Sequence, residues 1–180
     1  PTPGVVEAVV EMLRRDHGWA VDPEWIVWLP GLVSGLNVTC RAVGEIGDEV
    51  LTLVPVYPPF LSAPRNSGRG VVRVPMLEAN NRWTLDFERL SAAVTPRTRL
   101  LLLCNPHNPV GRVFDRQELE RLAELAAAAD LVVCADEIHC GLVLDPGKRH
   151  VAFATLGPEA AQRSITLMAP SKTFNLAGLG

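Results

Sequence analysis

The stretch Arg99-Leu-Leu-Leu-Leu-Cys104 decides the fold of this chain, because it runs through five apolar residues without a polar interruption. Continuous apolar runs, rather than alternating apolar and polar residues, are typical of strands buried on both faces of a parallel sheet. Asn105-Pro106 follows directly, and proline cannot continue the strand because it lacks a backbone donor. The stretch therefore predicts a doubly buried strand that ends near Cys104.

Similar short apolar runs recur on both sides of this stretch and alternate with helical patterns. Further strands are expected at residues 26–29, 50–54, 71–75, 131–135 and 164–168. Helices are expected from Pro3 to about Arg15, after Ser34, after Asp86 and after Asp115. This alternation predicts an α/β fold, with a mostly parallel sheet, helices on both of its faces and right-handed crossovers.

The composition is that of an ordinary globular protein. The chain has 180 residues, 48% hydrophobic and 21% charged, which suits one domain or one section of a longer polypeptide. The formal net charge of -3 argues against a nucleic-acid or anionic-membrane partner, since those need clustered Lys and Arg. No apolar run reaches transmembrane length and no signal peptide opens the chain, so a cytoplasmic protein is expected. The cysteines form no Cys-x-x-Cys pair, so neither a zinc site nor a disulfide framework is expected.

The carboxyl ends of parallel strands open on one edge of a sheet, and ligands bind there. The first such end is Pro30-Gly-Leu-Val-Ser34, a turn into a helix N-terminus. Backbone amides and the helix dipole make such a place favourable for a phosphate. The turn is neither a Walker loop nor Gly-x-Gly-x-x-Gly, and an ordinary strand-to-helix turn is the alternative interpretation.

The second strand end carries Asn105-Pro-His-Asn-Pro-Val-Gly111. Two Asn-Pro pairs in five residues predict a rigid turn, in which a cis X-Pro bond can occur. Such a turn can present an Asn amide to a ligand, and a plain proline-rich turn is the alternative. Asn105 and His107 are interpreted as turn residues rather than as ligands or bases.

The third strand end is Asp136-Glu-Ile-His139. A carboxylate at the end of a doubly buried strand needs a cationic or hydrogen-bonding partner. A protonated pyridine nitrogen would be such a partner, and an Asp that caps the following turn is the alternative. Glu137 should point the opposite way and have a structural role.

The fourth strand end leads into Ala169-Pro-Ser-Lys-Thr-Phe-Asn-Leu-Ala-Gly178, with Lys172 at its centre. A lysine just past the end of a strand can stand inside a site, where its amine loses a proton more readily. It can then form a Schiff base with a carbonyl, the chemistry that pyridoxal phosphate (PLP) requires. A solvated surface lysine is the alternative when Lys172 is taken alone.

Three of these motifs together resemble the fold-type I PLP enzymes: Cys-Asn-Pro-His-Asn-Pro-Val-Gly at 104–111, Ala-Asp-Glu-Ile-His at 135–139 and Ser-Lys-Thr-Phe-Asn-Leu-Ala-Gly-Leu at 171–179. More narrowly, they are similar to the cystathionine β-lyase-like C–S lyases that are grouped with class I and II aminotransferases. The order and separation of the motifs also match that superfamily. Segments near His17, Pro23 and Pro30 extend the resemblance over nearly the whole chain.

The resemblance implies a set of site residues. Lys172 would hold the cofactor as a Schiff base and take the substrate Cα proton. Asp136 would pair with the pyridine nitrogen, and Asn108 would hydrogen-bond the ring oxygen. The other implied cofactor-binding residues are Tyr57 beside the ring, the backbone amides of Gly31, Leu32 and Val33 at the phosphate, His139 and Ser171. A residue at the edge of the core is the alternative for Tyr57. His139 replaces the Tyr of typical aminotransferases, and His there is typical of the lyase branch.

The chain also departs from the family pattern. Ala169 stands where many members have a hydroxyl, and Gly180 stands where aminotransferases carry an Arg for the phosphate. Family members are about twice as long, so residues 1–180 are expected to be a PLP-binding large domain. The N-terminal arm, the small domain and the Arg that binds the substrate carboxylate would lie outside it.

Three functions are consistent with this resemblance. The first is a C–S β-lyase that cleaves cystathionine or another S-substituted L-cysteine to a thiol, pyruvate and ammonia. The second is an aminotransferase that uses the same residues on an amino acid, and the third is a non-catalytic PLP-fold regulator or scaffold. His139 and the Pro-Ser-Lys-Thr-Phe-Asn run favour the lyase. The family implies a small-molecule amino-acid substrate and a homodimer.

Overall fold

A five-stranded parallel sheet forms the centre of the computed structural model, which describes residues 2–177. The strands of the chain are β1 (Glu49–Val54), β2 (Gly70–Pro75), β3 (Leu77–Ala79), β4 (Arg82–Thr84), β5 (Thr98–Cys104), β6 (Val132–Asp136) and β7 (Ser164–Leu167). Five of them pair in parallel in the order β2-β1-β5-β6-β7, and β3 and β4 form a separate antiparallel hairpin. The predicted mostly parallel sheet is confirmed.

Helices cover both faces of this sheet. They are α1 (Pro3–His17), α2 (Leu32–Ala42), α3 (Pro59–Asn66), α4 (Phe87–Ala93), α5 (Arg116–Ala128), α6 (Pro158–Gln162) and α7 (Pro170–Thr173), with 3-10 turns at Pro23–Trp25 and Phe153–Thr155. Successive side chains of β5 point to opposite faces. Leu100 and Leu102 pack in the cluster that contains α2 and α3, whereas Leu101 and Leu103 pack in the cluster that contains α5. The stretch that predicted the fold therefore lies between two apolar layers.

Local capping signals fixed the starts of two helices as predicted. Asp86 accepts a hydrogen bond from Arg89 N at the start of α4. Asp115 and Glu118 form a reciprocal capping box at the start of α5, which satisfies backbone donors that the helix leaves without partners.

The strand expected at residues 26–29 is wrong. This segment has no regular secondary structure, and the side chain of Val27 is 76% exposed. A strand needs a neighbour to satisfy its backbone groups, and among residues 2–177 this run pairs with none. The apolar residues instead lead into α2, where a methyl group of Leu29 lies close to Gly35.

The helix start expected at Ser34 is also wrong. The helix α2 begins at Leu32, and Gly31 is its N-cap. The first helical hydrogen bond runs from Gly35 N to Gly31 O at 3.2 Å, so Ser34 already lies inside the first turn. Gly31 has φ of 115°, a conformation that other residues rarely adopt, and this lets the chain turn into the helix three residues earlier.

Four elements were not expected from the sequence: the helices α3, α6 and α7 and the β3–β4 hairpin. Pro58 and Pro59 mark a turn but also open α3. The turn of the hairpin contains Asn80 and Asn81, both with positive φ, which Asn tolerates better than most residues. Among the described residues, no helix combines the length and the apolar character that crossing a membrane requires.

Candidate functional site

The carboxyl ends of β5, β6 and β7 lie side by side and bring three of the predicted motifs to one edge. The strand register pairs Cys104 with Asp136 and Asp136 with Leu167. The Asn-Pro turn follows Cys104, the segment with His139 follows Asp136, and α7 follows Leu167 within three residues. The predicted convergence is therefore confirmed for three of the four expected strand ends, whereas the turn at Pro30 follows no strand among the described residues.

Asp136 lies on the α2 face of the sheet. Cys134, two residues earlier on the same strand, packs within 3.8 Å of the Thr39 hydroxyl of α2. Because side chains alternate along a strand, Asp136 shares this face and Glu137 continues to the other. The lysine-bearing helix and the start of α2 also lie at this end of the sheet.

The carboxyl of Asp136 is almost completely buried, with 5% exposure. Its Oδ1 accepts a hydrogen bond from Ile138 N at 3.1 Å, so the turn cap considered from the sequence is present. Burial raises the pKa of Asp136 from 3.8 to about 6, and the nearby Glu137 adds to the rise. Among the described residues, no Lys, Arg or His forms an ion pair with it. A buried acid in this state fits a protonated ring nitrogen as its partner.

Glu137 is fully buried on the opposite face and already has its partners. Its Oε2 lies 2.9 Å from His150 Nε2, and its Oε1 accepts a hydrogen bond from Phe153 N at 2.8 Å. This arrangement agrees with the structural role expected for Glu137.

The Asn-Pro turn is tied to the neighbouring strand ends. Asn105 N donates to Asp136 O at 3.0 Å, and its side-chain Oδ1 accepts from Phe114 N at 3.0 Å. The peptide bonds before Pro106 and Pro109 are cis. Asn105 is buried and structural, as the sequence indicated.

Asn108 is half-buried and next to Tyr57. Its backbone N–H points to Cys104 Sγ at 3.4 Å, and its carbonyl accepts a hydrogen bond from Tyr57 N at 3.0 Å. The Tyr57 ring is 41% exposed, so it stands at the surface of the site rather than in the core. The structure thus places these two predicted cofactor contacts beside one another.

Lys172 lies on α7, exposed and close to His139. Burial lowers the pKa of the half-buried His139, and the positive charge of Lys172 lowers it further. The helix is held against the segment after β6, because a Cβ added at Gly141 would meet the hydroxyl of Thr173 at 2.7 Å. The lysine amine and the imidazole therefore share one corner of the site.

The N-terminus of α2 supplies free amides at the same end of the sheet. The amides of Leu32 and Val33 belong to the first turn, where backbone donors have no partner inside the helix. Gly35 on this helix packs directly against Leu167, the last residue of β7: a Cβ added there would lie 3.0 Å from a methyl group. The predicted phosphate turn and the lysine motif therefore flank a common strand end.

Ser171 is half-buried, and its carbonyl accepts a hydrogen bond from Leu176 N at 2.9 Å. Ala169, one of the two departures from the family pattern, immediately precedes α7. Gly180, the other departure, lies outside the described residues.

A cavity of about 420 Å³ opens between the Asn-Pro turn and the segment that follows β6. Asn108 and His139 both line it, together with Leu142, Val143, Leu144 and Asp145. Residues 142–145 were not singled out from the sequence, because they belong to an irregular connection without a motif. The pairing of a proline-rich turn with a Gly-marked loop after the next strand is the signal that could have indicated them.

The predicted residues share this edge without direct side-chain bonds between them. Within residues 2–177, no hydrogen bond joins the side chains of Lys172, Asp136 and Asn108. Cys104 is a neighbour of both Asp136 and Asn108, and His139 lies near Lys172. Such an arrangement leaves the polar groups free for a bound molecule.

Known proteins are similar to this chain over nearly its whole length, and they belong to the family that the sequence motifs resemble. A model of the family "Aminotransferase class I and II" matches residues 2–180. Cystathionine beta-lyase PatB of Bacillus subtilis is 42% identical over 96% of this chain, which covers 45% of PatB. The probable N-succinyldiaminopimelate aminotransferase DapC of Mycobacterium tuberculosis is 36% identical over 99% of this chain and 45% of its own length.

Solved structures agree with the sequence relatives. Cystalysin from Treponema denticola, which contains a pyridoxal 5'-phosphate cofactor, superposes on all of this chain with a TM-score of 0.95 and 35% identity. The match covers 46% of the cystalysin chain. The chain thus spans just under half the length of the relatives it matches.

Proposed function

The chain belongs to the class I and II aminotransferase family, and from this membership we propose that it carries the PLP site of a C–S β-lyase. The substrate would be cystathionine or another S-substituted L-cysteine. The observation that carries the proposal is the buried carboxyl of Asp136, which forms no ion pair within residues 2–177, at the same sheet edge as Lys172. The greater identity to PatB than to DapC supports the lyase over the aminotransferase.

The bound cofactor supplies an electron sink that stabilises negative charge at the substrate Cα. Asp136 favours this, because a carboxylate beside the ring nitrogen keeps that nitrogen protonated. Asn108 can donate an amide hydrogen bond to the ring oxygen, and Tyr57 can cover the ring from its exposed position. The amides of Leu32 and Val33 can hold the phosphate at the positive end of α2.

Lys172 is the residue proposed to move the proton. Its Nζ takes the proton from the substrate Cα as a general base. The Cβ–S bond then breaks, and its electron pair leaves with sulfur as a thiolate. Hydrolysis of the remaining three-carbon enamine gives pyruvate and ammonia. Burial and the charge of Lys172 lower the pKa of the half-buried His139, which favours its neutral form beside the amine.

An aminotransferase is the second candidate. The 36% identity to DapC over almost the whole chain supports it, and the same Lys172 and Asp136 would serve it. The two reactions differ in their products. An aminotransferase would release a keto acid and leave the amino group with the cofactor, whereas a lyase would release a thiol and pyruvate.

Absorption spectroscopy and product analysis of the full-length protein test the proposal. We expect a visible band from lysine-bound PLP, and release of pyruvate and thiol from cystathionine. Lys172→Ala should lose the band and at least a thousandfold of the elimination rate, since it removes both the attachment point and the base. Lys148, the other lysine of the chain, is exposed and pairs with Asp145 at 3.5 Å, so Lys148→Ala is the matched control.

Each outcome of this experiment separates the candidates. Accumulation of the pyridoxamine form without pyruvate would favour the aminotransferase. A yellow protein that turns over no amino acid would favour a regulator or scaffold. A colourless parent that does not bind added PLP would contradict all three.

We further propose that the full protein is a cytoplasmic homodimer. Several large apolar side chains outside the core, among them Trp25, Val27 and Trp28, are exposed in this chain and suit an interface with a second copy. Light scattering of the full-length protein should give the mass of two chains, and the mass of one chain would contradict this assembly.

A further inference from the structure

His107 is buried between two segments of the site although the proposed chemistry does not use it. Only 1% of its surface is exposed. Its Nε2 lies 2.8 Å from Pro55 O, and its Nδ1 lies 3.1 Å from Cys104 O. The ring also packs edge-on against Phe114, with ring centroids 5.8 Å apart. The side chain is thus fixed on three sides.

The two segments that it joins carry two of the proposed cofactor contacts. Pro55 follows β1 and precedes Tyr57 by two residues, and His107 directly precedes Asn108. The hydrogen bond from Tyr57 N to Asn108 O, 3.0 Å long, is a second connection between the same segments. The imidazole and this backbone bond together determine how far Tyr57 stands from Asn108.

The number of N–H groups on the His107 ring identifies which of its two contacts is a hydrogen bond. A carbonyl oxygen can only accept, so each ring nitrogen needs an N–H to bond its neighbour. Burial lowers the pKa of His107, which favours the neutral ring with a single N–H. The shorter distance, from Nε2 to Pro55 O, is the one typical of a hydrogen bond with good geometry.

We propose that His107 is a positioning residue: its Nε2–H donates to Pro55 O and thereby holds Tyr57 and Asn108 side by side at the edge of the cofactor ring. This inference rests on the proposed function, because it assumes that these two residues contact PLP. His107 itself touches neither cofactor nor substrate in this role. Its effect on the cofactor is transmitted through the backbone of the two segments.

Two amide substitutions separate the two nitrogens. The side-chain amide of Gln reaches about as far as Nε2, and that of Asn about as far as Nδ1. In the full-length protein, we expect His107→Asn to weaken PLP binding roughly tenfold and to shift the visible absorption maximum, since one buried hydrogen bond is lost. His107→Gln should stay within about threefold of the parent, because it can still donate to Pro55.

A matched control distinguishes a general loss of stability from a loss of cofactor positioning. Leu122 is fully buried on α5, on the opposite face of the sheet. Leu122→Ala should lower the melting temperature at least as much as His107→Asn, yet leave the PLP dissociation constant and the absorption maximum unchanged. Equal PLP binding by His107→Asn and His107→Gln, or a shifted maximum in Leu122→Ala, would overturn the inference.

A measurement on the parent protein covers the case in which the His107 variants do not fold. Nitrogen NMR of ¹⁵N-histidine in the PLP-loaded protein should show the Nε2–H tautomer for His107, and the Nδ1–H tautomer would overturn the inference. A parent that binds no PLP contradicts the proposed function itself. A parent that binds PLP with the wrong tautomer contradicts only the role of His107.

Discussion

Asp136 and Glu137 are adjacent acids with opposite environments. The Glu137 carboxyl is hydrogen-bonded to His150 and to Phe153 N. Among the described residues, the Asp136 carboxyl accepts a hydrogen bond only from Ile138 N. Alternation along the strand end sends one carboxyl to each face of the sheet. Glu137 therefore contributes to the fold, and the buried carboxyl of Asp136 has no charged partner within residues 2–177.

The raised pKa of Asp136 gives a prediction for the cofactor-free protein. Because the folded state binds this proton more tightly than the unfolded chain, the stabilising effect is present below pH 4 and is lost as pH rises through about 6. The difference between 3.8 and about 6, at about 1.36 kcal/mol per pKa unit, corresponds to about 3 kcal/mol. Asp136→Asn removes this one contribution and leaves those of the other titratable groups in place, so the difference between parent and variant isolates it.

Urea denaturation of the cofactor-free parent and of Asp136→Asn between pH 4 and pH 8 measures this effect. The free energy of unfolding of the parent should decrease relative to that of the variant by up to about 3 kcal/mol. The variant should also bind PLP more weakly, because a neutral amide cannot balance a protonated ring nitrogen. Parallel pH profiles would show that Asp136 is not held in the environment described above.

At the scale of elements, α7 owes its position to the segment that follows β6. The backbone of Gly141 approaches Thr173 so closely that an added Cβ would lie 2.7 Å from the hydroxyl oxygen and 3.1 Å from Thr173 Cβ. Since Thr173 is adjacent to Lys172, this contact determines where the lysine stands relative to His139. Glycine is required at position 141 by this close approach.

Gly141→Ala should therefore displace α7 and weaken the attachment of PLP to Lys172. Overpacking of this kind costs about 1–3 kcal/mol, so we expect a roughly tenfold lower fraction of lysine-bound cofactor at limiting PLP. The intensity of the visible absorption band measures that fraction.

The second substitution Thr173→Ala supplies the control. It removes Thr173 Cγ2 and Oγ1, the two atoms nearest to the new methyl group, so the double variant should regain most of the band. If Thr173→Ala does not restore the band in the Gly141→Ala background, the contact between the two elements is not what positions the lysine.

At the scale of the whole molecule, a buried cluster joins three distant parts of the chain. The carboxylate of Glu137, after β6, bonds His150 at 2.9 Å. The His150 ring in turn packs edge-on against His17 at the end of α1, with centroids 5.7 Å apart. Both the His150 and Glu137 side chains are at most 2% exposed. The cluster therefore connects the first helix with the strand end that carries Asp136.

His150→Ala should destabilise the protein by about 2–3 kcal/mol, because a hydrogen bond to a buried charged group is lost. The free energy of unfolding in urea measures the loss. The exposed pair of Arg163 and Asp130, 2.7 Å apart, provides the comparison. Arg163→Ala should cost within about 1 kcal/mol, since exposed ion pairs contribute little. Equal losses in the two variants would contradict the role assigned to the buried cluster.

Local patterns explain which parts of the fold could be predicted. The run at residues 100–104 and the capping box at Asp115 specify their own elements, because the signal lies within a few neighbouring residues. The run at residues 26–29 looks equally apolar, but a strand exists only where a neighbour pairs with it, and that depends on distant parts of the chain. The start of α2 at Leu32 depended on the backbone conformation of Gly31, which the sequence pattern at Ser34 did not indicate.

The sequence by itself determined the α/β class, the parallel sheet and the family, because strand periodicity, helix caps and motif order are all properties of the linear chain. Only the tertiary structure showed the burial of Asp136, the contact of His107 Nε2 with Pro55 O and the contact between Gly141 and Thr173. Each of these involves residues that are far apart in sequence or whose solvent exposure is set by packing. Solvent exposure and long-range contacts decide a side chain's charge and hydrogen bonds, and they exist only once the chain is folded.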